Sequence, residues 1–487
     1  IIGLDIGTTD CKAIALDERW QVMASFQEKY ELRVPRPGWA EQDSEEVWRA
    51  VAKALADLSS RLPTSEVLGI GLSGAMHSLI MLDEHEKPLA PAMTWADQRA
   101  ADIAQALRQR TDPIKYYQRT GCPLQAIYHP AKARWCVDVS GQKFARLVSI
   151  KEFILYRLTG IWAIDLGLAS TTGLLDMHRR RWDAEALSLA GVAVSQLSPL
   201  VSSQAVVGSI TPEAAHLTGL RAGLPVVAGG SDGGMAMVGV QEHTVITVGT
   251  SGAVRRVDAT PMLDPQARTW CYIQDDAQDK IQRDTQGNAN NGERAGRCWL
   301  IGGAINNGGL AAQWAKEKFY PHEEFETMFQ EVSKIEAGSA GVMCLPYLAG
   351  ERTPLWDADL RATLSGFGLE HSRAHLARAV LEGVGYCLAD VWEIIDSGSG
   401  DTSVKLTGGI THSPVWSQIV CDILGVPLRI ARGADASATG AALTAGEALG
   451  KPISLPQEEP TTLAPDPSRH ATYQKLHRAF QERRRKQ

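Results

Sequence analysis

The sequence predicts an α/β protein of two related domains, and three observations support this prediction. Strand-like and helix-like segments alternate along the 487 residues, as in layered α/β folds. The length exceeds what one hydrophobic core supports and suggests about two to four domains. A partial repeat also relates "IIGLDIGTTDCKAIALD" (1–17) to "HTVITVGTSGAVRRVD" (243–258). Two domains joined face to face explain the repeat, with predicted bounds 1–240 and 241–487.

The elements can be assigned in chain order. "IIGLDIG", "CKAIALD" and "WQVMASF" predict three successive strands. Residues 44–62 predict a helix that Asp43 or Ser44 caps, with Val47, Val51 and Leu55 on its apolar face. "VLGIGLS" and "HSLIMLD" predict two further strands. The polar segment 275–297 predicts an exposed loop or hairpin tip, and the last residues predict a helix with an apolar stripe of Tyr473, Leu476 and Phe480.

Composition excludes several classes of protein. A net charge of −7 disfavours a nucleic-acid binder, which usually has a basic face. No run of 18 apolar residues exists, so we expect no membrane span. The eight cysteines are scattered without a C-x-x-C pair, which predicts buried, reduced thiols and a cytoplasmic protein.

Two sequence motifs suggest a phosphate site, whereas the usual nucleotide motifs fail. There is no G-x-x-x-x-G-K-[ST], and the G-x-G-x-x-G at 69–74 is not followed by a helix-like segment. "DIGTT" (5–9) combines a glycine turn with Thr8 and Thr9 as phosphate donors. Asp5 could hold Mg²⁺ through water, and Lys12 adds positive charge. The second Gly-Thr-Ser turn suggests two hairpins around one nucleotide, with Thr247 in the place of Asp5.

The stretch "VVAGGSDGG" (226–234) allows two kinds of chemistry. As G-x-S-x-G it predicts a nucleophile elbow with Ser231 as the attacking group. As an apolar strand that ends in an acid it presents Asp232 as a general base. The glycines predict a tight strand-to-helix turn in both cases, so this stretch alone leaves the choice open.

Over nearly its whole length the chain resembles the FGGY family of carbohydrate kinases. The resemblance rests on the following stretches in family order: "DIGTT", "PGWAEQD" (37–43), "GAMHSLI" (74–80), "TWADQR" (94–99), "SIKEFILYRLTG" (149–160), "GGSDGG" (229–234), "VGTSGA" (248–253), "LPYLAGERTPLWD" (345–357), "LTGGITHSPVWSQIVCDILGVPL" (406–428) and "SATGAAL" (437–443). It implies two actin-like (ribonuclease H-like) domains that flank a catalytic cleft and use ATP with Mg²⁺.

The resemblance also implies roles for individual residues. Asp232 would be the general base and would share the metal with Asp5. The substrate would contact Met76, His77, Asp97 and Arg99. The phosphates would contact Thr8, Thr9, Lys12, Gly249, Thr250, Gly302, Gly303, Asn306 and Asn307, and the adenosine would contact Gly408, Gly409 and Ser413.

For the substrate, the resemblance favours gluconate, with xylulose as the alternative. Xylulose kinases usually have Gly and Asn where this chain has Ser78 and Ala96. A sugar acid needs a cation in its site, and Arg99 and Lys151 are candidates. Asp10 departs from the family's usual Ser or Thr and would repel a phosphate unless it points away or meets metal.

Two other classes of function remain open at the sequence level. One is a serine hydrolase that uses Ser231, and the other is an actin-like ATPase without a sugar site. The sequence does not decide between a monomer and a homodimer.

Overall fold

The computed structural model describes residues 1–274, 298–396, 404–430, 436–451 and 461–486, so the predicted loop at 275–297 lies outside the described residues. The strands of the first half are β1 (Ile2–Ile6), β2 (Asp10–Leu16), β3 (Val22–Lys29), β4 (Glu41–Gln42), β5 (Ile70–Gly74), β6 (Ile80–Leu82), β7 (Ala92–Met93), β8 (Arg146–Val148), β9 (Ile164–Asp165), β10 (Leu175–Asp176), β11 (Arg181–Trp182), β12 (Leu200–Val201), β13 (Val206–Ser209) and β14 (Pro225–Ser231). Its helices are α1 (Ser44–Ser59), α2 (Ala101–Arg110), α3 (Pro113–Thr120), α4 (His129–Asp138), α5 (Ile150–Thr159), α6 (Leu166–Ser170), α7 (Ala184–Ala190), α8 (Pro212–Thr218) and α9 (Asp232–Val240).

The second half contains the remaining elements. Its strands are β15 (Thr244–Val248), β16 (Gly252–Asp258), β17 (Trp270–Gln274), β18 (Cys298–Ile305), β19 (Met343–Leu345), β20 (Thr363–Ser365), β21 (Val404–Thr407), β22 (Leu428–Ile430) and β23 (Thr461–Leu463). Its helices are α10 (Gly309–Phe319), α11 (Phe325–Val332), α12 (Arg373–Ile395), α13 (Pro414–Leu424), α14 (Ala436–Ala448) and α15 (Pro467–Arg484).

Two large sheets confirm the predicted internal repeat. The first sheet has the order β13-β14-β5-β1-β2-β3, and the second has the order β17-β18-β16-β15-β21-β22-β23. In each sheet the strand that opens the repeat pairs antiparallel with the next strand and parallel with a later one, β5 or β21. Asp5 and Thr247 occupy the same position in β1 and β15. The six strands of the first sheet therefore match six of the seven strands of the second in order and direction, and β17 is the additional strand.

Helix α14 of the second half packs on the sheet of the first half. An added Cβ at Gly3 or Gly71 would lie 1.9 or 2.1 Å from the carbonyl oxygens of Ala438 or Ala441 in that helix. Glycine is required here because a side chain on either strand would overlap the helix backbone. Helix α14 also packs on α9, the helix that begins at Asp232, so the packing of the two halves helps to fix that residue.

The assignments made from local patterns hold. Asp43, rather than Ser44, caps α1 by accepting from the backbone N–H groups of Glu45 and Glu46. Tyr473 and Phe480 of the C-terminal helix are fully buried, and all eight cysteines are buried free thiols. Across the described ranges, no helix is long and apolar enough to cross a membrane.

Candidate active site

The stretch "VVAGGSDGG" forms the predicted strand-to-helix turn. Strand β14 ends at Ser231 and helix α9 begins at Asp232. The Ser231 hydroxyl accepts a hydrogen bond from the Gly234 N–H at 3.2 Å and thereby caps the helix. Ser231 is 4% exposed. This geometry argues against the nucleophile interpretation, because the oxygen that would attack is enclosed and already serves as a helix cap.

Asp232 lies half-buried at the first position of α9, in a mixed electrostatic setting. Burial raises the pKa of its carboxyl group, while the positive charge of Arg255 and a hydrogen bond oppose the rise. That hydrogen bond joins the Gly233 N–H to Asp232 Oδ1 at 2.7 Å. Ser437, from helix α14, donates to the Asp232 backbone carbonyl at 3.1 Å. The carboxylate is therefore held at one oxygen, which leaves Oδ2 to receive a proton.

Two side chains fix the backbone of the first predicted phosphate hairpin by hydrogen bonds. Tyr30 donates its hydroxyl to the Gly7 carbonyl at 2.8 Å, and Gln42 donates to the Thr8 carbonyl at 2.7 Å. Thr9 is exposed at the tip of the turn. The Thr8 hydroxyl accepts from the Trp95 indole at 3.0 Å and keeps its own hydrogen to donate. The turn thus presents the Thr8 hydroxyl as a donor on a fixed backbone, whereas the Thr9 hydroxyl donates to Asp10.

Two charged residues flank this hairpin. Lys12 stands opposite Asp5 in the β1–β2 register, so its charge lies beside the predicted metal ligand. Asp10 is half-exposed at the start of β2, and its carboxylate accepts from the Thr9 hydroxyl at 3.3 Å. Asp10 therefore lies on the turn itself, where the family usually has a hydroxyl residue.

The two predicted metal ligands lie at the same edge of the first sheet. Asp5 of β1 is level with Ser73 of β5, and Ser73 is level with Gly230 of β14. Ser73 donates to Asp5 Oδ1 at 2.6 Å. Two strand spacings separate β1 from β14, so the Asp5 and Gly230 backbones lie about 10 Å apart, and Asp232 follows two residues later. A hydrated divalent cation and phosphate oxygens fit between chain segments at this spacing.

The second hairpin lies beside a glycine turn of the C-terminal half. Thr250 is exposed at its tip, and the Gly309 N–H at the start of α10 donates to the Gly249 carbonyl at 2.6 Å. Gly408 has φ 89° and is exposed with Gly409. A Cβ at Gly408 would lie 2.5 Å from the Val248 carbonyl, so only glycine allows this approach. The hairpin and the glycine turn together form a surface on which a nucleotide could lie.

Four residues predicted to contact phosphate also make close contacts within the protein. Gly302 and Gly303 are buried within β18, where an added Cβ would overlap neighbouring atoms, and their phosphate contacts stay predictions. Asn306 and Asn307 hold the loop 348–357 by donating to the carbonyls of Ala349 and Gly350 at 2.9 and 2.8 Å. The adenosine candidate Ser413 is buried and caps α13.

The predicted sugar loop contains a buried neutral histidine. His77 has φ 64°, and its Nδ1 donates to the Thr171 carbonyl at 3.0 Å. Burial lowers the His77 pKa well below its usual value, and the nearby cations Lys132 and Arg352 add to this effect. The ring is therefore neutral with Nε2 as a hydrogen-bond acceptor. An acceptor of this kind suits a sugar hydroxyl.

Asp97 and Arg99 satisfy one another inside the first half. Asp97 is fully buried, and its oxygens accept from the Arg99 side chain at 2.7–3.0 Å and from the Ala40 N–H at 2.8 Å. Arg99 also contacts Glu41 and lies 3.6 Å from the centre of the Trp39 ring. Their roles in substrate binding stay predictions, because each already has a full set of partners within the protein.

Lys151, the second proposed cation for a sugar acid, is also paired with an acid within the protein. Its Nζ donates to Asp165 at 2.5 Å, and both side chains are at most 3% exposed. Its stem packs against Gly74, where an added Cβ would meet the Lys151 Cβ at 2.6 Å. Lys151 thus packs against the strand end from which the predicted sugar loop begins.

Three cations near the site were missed by sequence reasoning. Arg255 lies on β16, and its Nε is 3.1 Å from where a Cβ on Gly233 would be. Arg352 lies 4.6 Å from the centre of the Trp95 ring. Lys132 donates to two backbone carbonyls of the sugar segments at 2.7 and 2.6 Å. The motif "GERTP" could have suggested Arg352, whereas Arg255 and Lys132 have no local signal.

Comparisons with known proteins give a consistent result. The models for the N- and C-terminal domains of the FGGY family of carbohydrate kinases match residues 1–239 and 244–449. A gluconokinase of Bacillus subtilis is 32% identical over 93% of this chain and 88% of its own length. A xylulose kinase of Escherichia coli is 30% identical over 98% and 97%. The crystal structure of a gluconate kinase from Lactobacillus acidophilus matches with a TM-score of 0.90 at 29% identity, over 99% of this chain and 97% of the other.

Proposed function

The chain belongs to the FGGY family of carbohydrate kinases, and from this premise we propose that it transfers the γ-phosphoryl group of ATP to a hydroxyl of gluconate. Asp232 would act as the general base. The observation that carries this proposal is the setting of Asp232 at the start of α9, with one oxygen bound to the Gly233 N–H and the other left to accept a proton. We also propose that the domains meet between residues 240 and 241, within the stretch that neither family match covers.

The chemistry assigned to Asp232 is modest but necessary. Phosphoryl transfer depends mainly on positioning and charge neutralisation, with little covalent help from the protein. Asp232 Oδ2 would take the proton of the attacking hydroxyl and orient its lone pair toward phosphorus. The raised pKa of this carboxyl group brings its basicity closer to what proton abstraction near neutral pH requires.

ATP and Mg²⁺ would be held by the two hairpins and the sheet edge between them. Thr8 and Thr250 would donate to the phosphates from opposite sides, Thr9 would join them on release of its hydrogen bond to Asp10, and Gly408 and Gly409 would border the adenosine. Asp5 and Asp232 would hold Mg²⁺, which needs only one or two carboxylates beside phosphate and water oxygens. The bound ion neutralises charge on the phosphates.

The choice of gluconate over xylulose rests on the charge of the site. Arg255 and Arg352 both lie close to the predicted substrate residues, and their positive charges suit an anionic substrate. Both the gluconokinase and the xylulose kinase relatives cover nearly the whole chain, so overall similarity alone does not decide. Ser78 differs from the glycine usual in xylulose kinases, and its hydroxyl accepts from the Ile150 N–H at 3.0 Å.

A coupled ADP-release assay tests the proposal. Gluconate, D-xylulose, L-xylulose, L-ribulose and glycerol should be compared at equal ATP and Mg²⁺, with a sample lacking any sugar as the control. We expect gluconate to give the highest kcat/KM. A preference for D-xylulose would favour the alternative substrate. ATP turnover that no polyol stimulates would contradict the kinase proposal and indicate an actin-like ATPase.

A further inference from the structure

The Arg255 guanidinium has an edge, formed by Nε and Nη2, that binds no described residue; this is called its unused edge. Its Nη1 donates to the Thr247 hydroxyl at 3.2 Å, and this is its one hydrogen bond to the described residues. Its Nε is buried and has no partner in the part of the chain that the structure describes. A buried N–H without an acceptor destabilises the folded chain. A protein retains such a group most readily where a ligand supplies the acceptor.

The unused edge is the one that binds carboxylates elsewhere in this chain. Arg99 uses Nε and Nη2 together on Asp97, and Arg268 uses the same two atoms on Asp264. Arg373 does so on Glu331. This edge offers two parallel N–H groups that match the two oxygens of a carboxylate. In Arg255 the matching edge has no such partner among the described residues.

The position of Arg255 places this edge on the sugar side. Arg255 follows Gly252 by three residues along β16, so it lies about 10 Å from the phosphate hairpin. A Cβ on Gly233 would meet both Arg255 Nε, at 3.1 Å, and Met76 Cε, at 2.6 Å. Met76 belongs to the predicted sugar loop, and its flexible side chain can move aside for a ligand. Arg255 is therefore next to the base and next to the sugar loop.

Asp232 does not form an ion pair with Arg255. Across the described ranges, no hydrogen bond or ion pair joins the two side chains, although the field of each acts on the other. Arg352 adds a second cation close enough to act on Arg255, and its Nη1 makes no hydrogen bond to the described residues. Arg255 and Arg352 thus bring two positive charges close to the base, where Asp232 acts on Arg255 and Glu351 acts on Arg352. The bidentate edge of Arg255 stays without a carboxylate partner among the described residues, which favours an anionic ligand beside the base.

We propose that Arg255 is the specificity-determining residue that binds the carboxylate of the sugar acid through Nε and Nη2. This inference rests on the proposed function and refines it to a single residue. A linear polyhydroxy acid would place its carboxylate on Arg255 and one of its hydroxyls on Asp232. Arg255 would thus separate sugar acids from neutral sugars of the same length.

The test compares Arg255→Gln with the wild type on gluconate and on D-glucitol, which has a neutral CH₂OH in place of the carboxylate. Both kinetics and equilibrium binding without ATP should be measured, at a pH where Asp232 is ionised. We expect gluconate binding and kcat/KM to fall by about 100-fold, mainly through KM, because two charge-assisted hydrogen bonds are lost. D-Glucitol should change less than threefold. Arg255→Lys should recover only part of the gluconate affinity.

Arg256→Gln is the matched control, because Arg256 is the next residue of the same strand and pairs with Asp258 at 2.9 Å. It should leave both substrates unchanged. An equal loss of kcat on gluconate and D-glucitol in Arg255→Gln would overturn the inference and assign Arg255 to the transferring phosphate. If the wild type itself prefers a neutral sugar, the proposed substrate fails first, and that result is visible without any variant.

Discussion

Replacement of Asp232 by asparagine removes the proposed base with little change of shape. Asparagine keeps a carbonyl oxygen that can accept from the Gly233 N–H, now at 2.7 Å from Asp232 Oδ1. The helix cap at Ser231 is independent of this side chain. The negative charge at the first position of α9 contributes about 0.3–1 kcal/mol through the helix dipole, and relief of its burial offsets part of that loss. The variant should therefore fold and bind nucleotide.

The expected kinetic effect is much larger than the structural one. General-base catalysis contributes about 10²–10⁴-fold, so kcat should fall by this factor, or about 3–5 kcal/mol of barrier. KM for ATP should change far less than kcat, because Asp5 and the two hairpins, the other proposed contacts to the nucleotide and its metal, are retained. Steady-state assays with thermal unfolding as a control for folding would measure both effects. Retention of more than a tenth of the wild-type kcat would refute the assignment of Asp232 as the base.

The pH dependence gives a second reading of the same residue. The proposed base must be ionised, so kcat/KM should rise with pH through the raised pKa of Asp232 and stay high above it. Removal of the Arg255 charge removes an effect that lowers this pKa, so the acidic limb of Arg255→Gln should move to higher pH. If the acidic limb of the kcat/KM profile lay at the same pH in the wild type and in Arg255→Gln, a group other than Asp232 would be titrating.

Three further predictions concern stability and positioning. Burial alone would lower the His477 pKa, but the contact with Asp390 helps to raise it to about 9. His477→Gln should therefore lower the free energy of unfolding by about 3 kcal/mol below pH 6.5. Urea titrations should show this loss vanish as the pH rises through 9. Gly71→Ala should lower the free energy of unfolding by about 1–3 kcal/mol or more, because its Cβ would lie 2.1 Å from the Ala441 carbonyl. Lys132→Met should raise the sugar KM about tenfold or more with KM for ATP unchanged, because two buried carbonyls of the sugar segments lose their donor; an equal change in both KM values would contradict this positioning role.

Local sequence patterns predicted the fold well where one segment sufficed. The strands β1 to β3, helix α1 and the turn at Ser231 follow from alternation, amphipathic spacing and glycine placement. The repeat predicted two related halves because a hairpin with its Gly-Thr turn is short and contiguous. The use of α14 to join the halves was not predictable, since the glycine at position 71 meets Ala441 only in the folded chain.

The site was harder to predict because its chemistry depends on partners distant in sequence. Asp97 and Arg99 carry motif signals, yet the folded chain pairs them with each other. Gly302 was predicted to contact phosphate, and within β18 an added Cβ would lie 2.4 Å from the Val254 carbonyl oxygen, a contact that the motif does not show. Arg255 has no motif signal, and its significance arises from the missing partner at Nε beside Gly233. Unsatisfied groups of this kind emerge only when all contacts are known.

The most direct test of the account is the mass of the product formed from ATP and gluconate. We predict a phosphorylated sugar acid in one-to-one ratio with ADP for the wild-type protein, and at least a hundredfold slower formation in Asp232→Asn. ADP without a phosphorylated acid, or equal product formation in the two proteins, would contradict the claim that Asp232 directs phosphoryl transfer to gluconate.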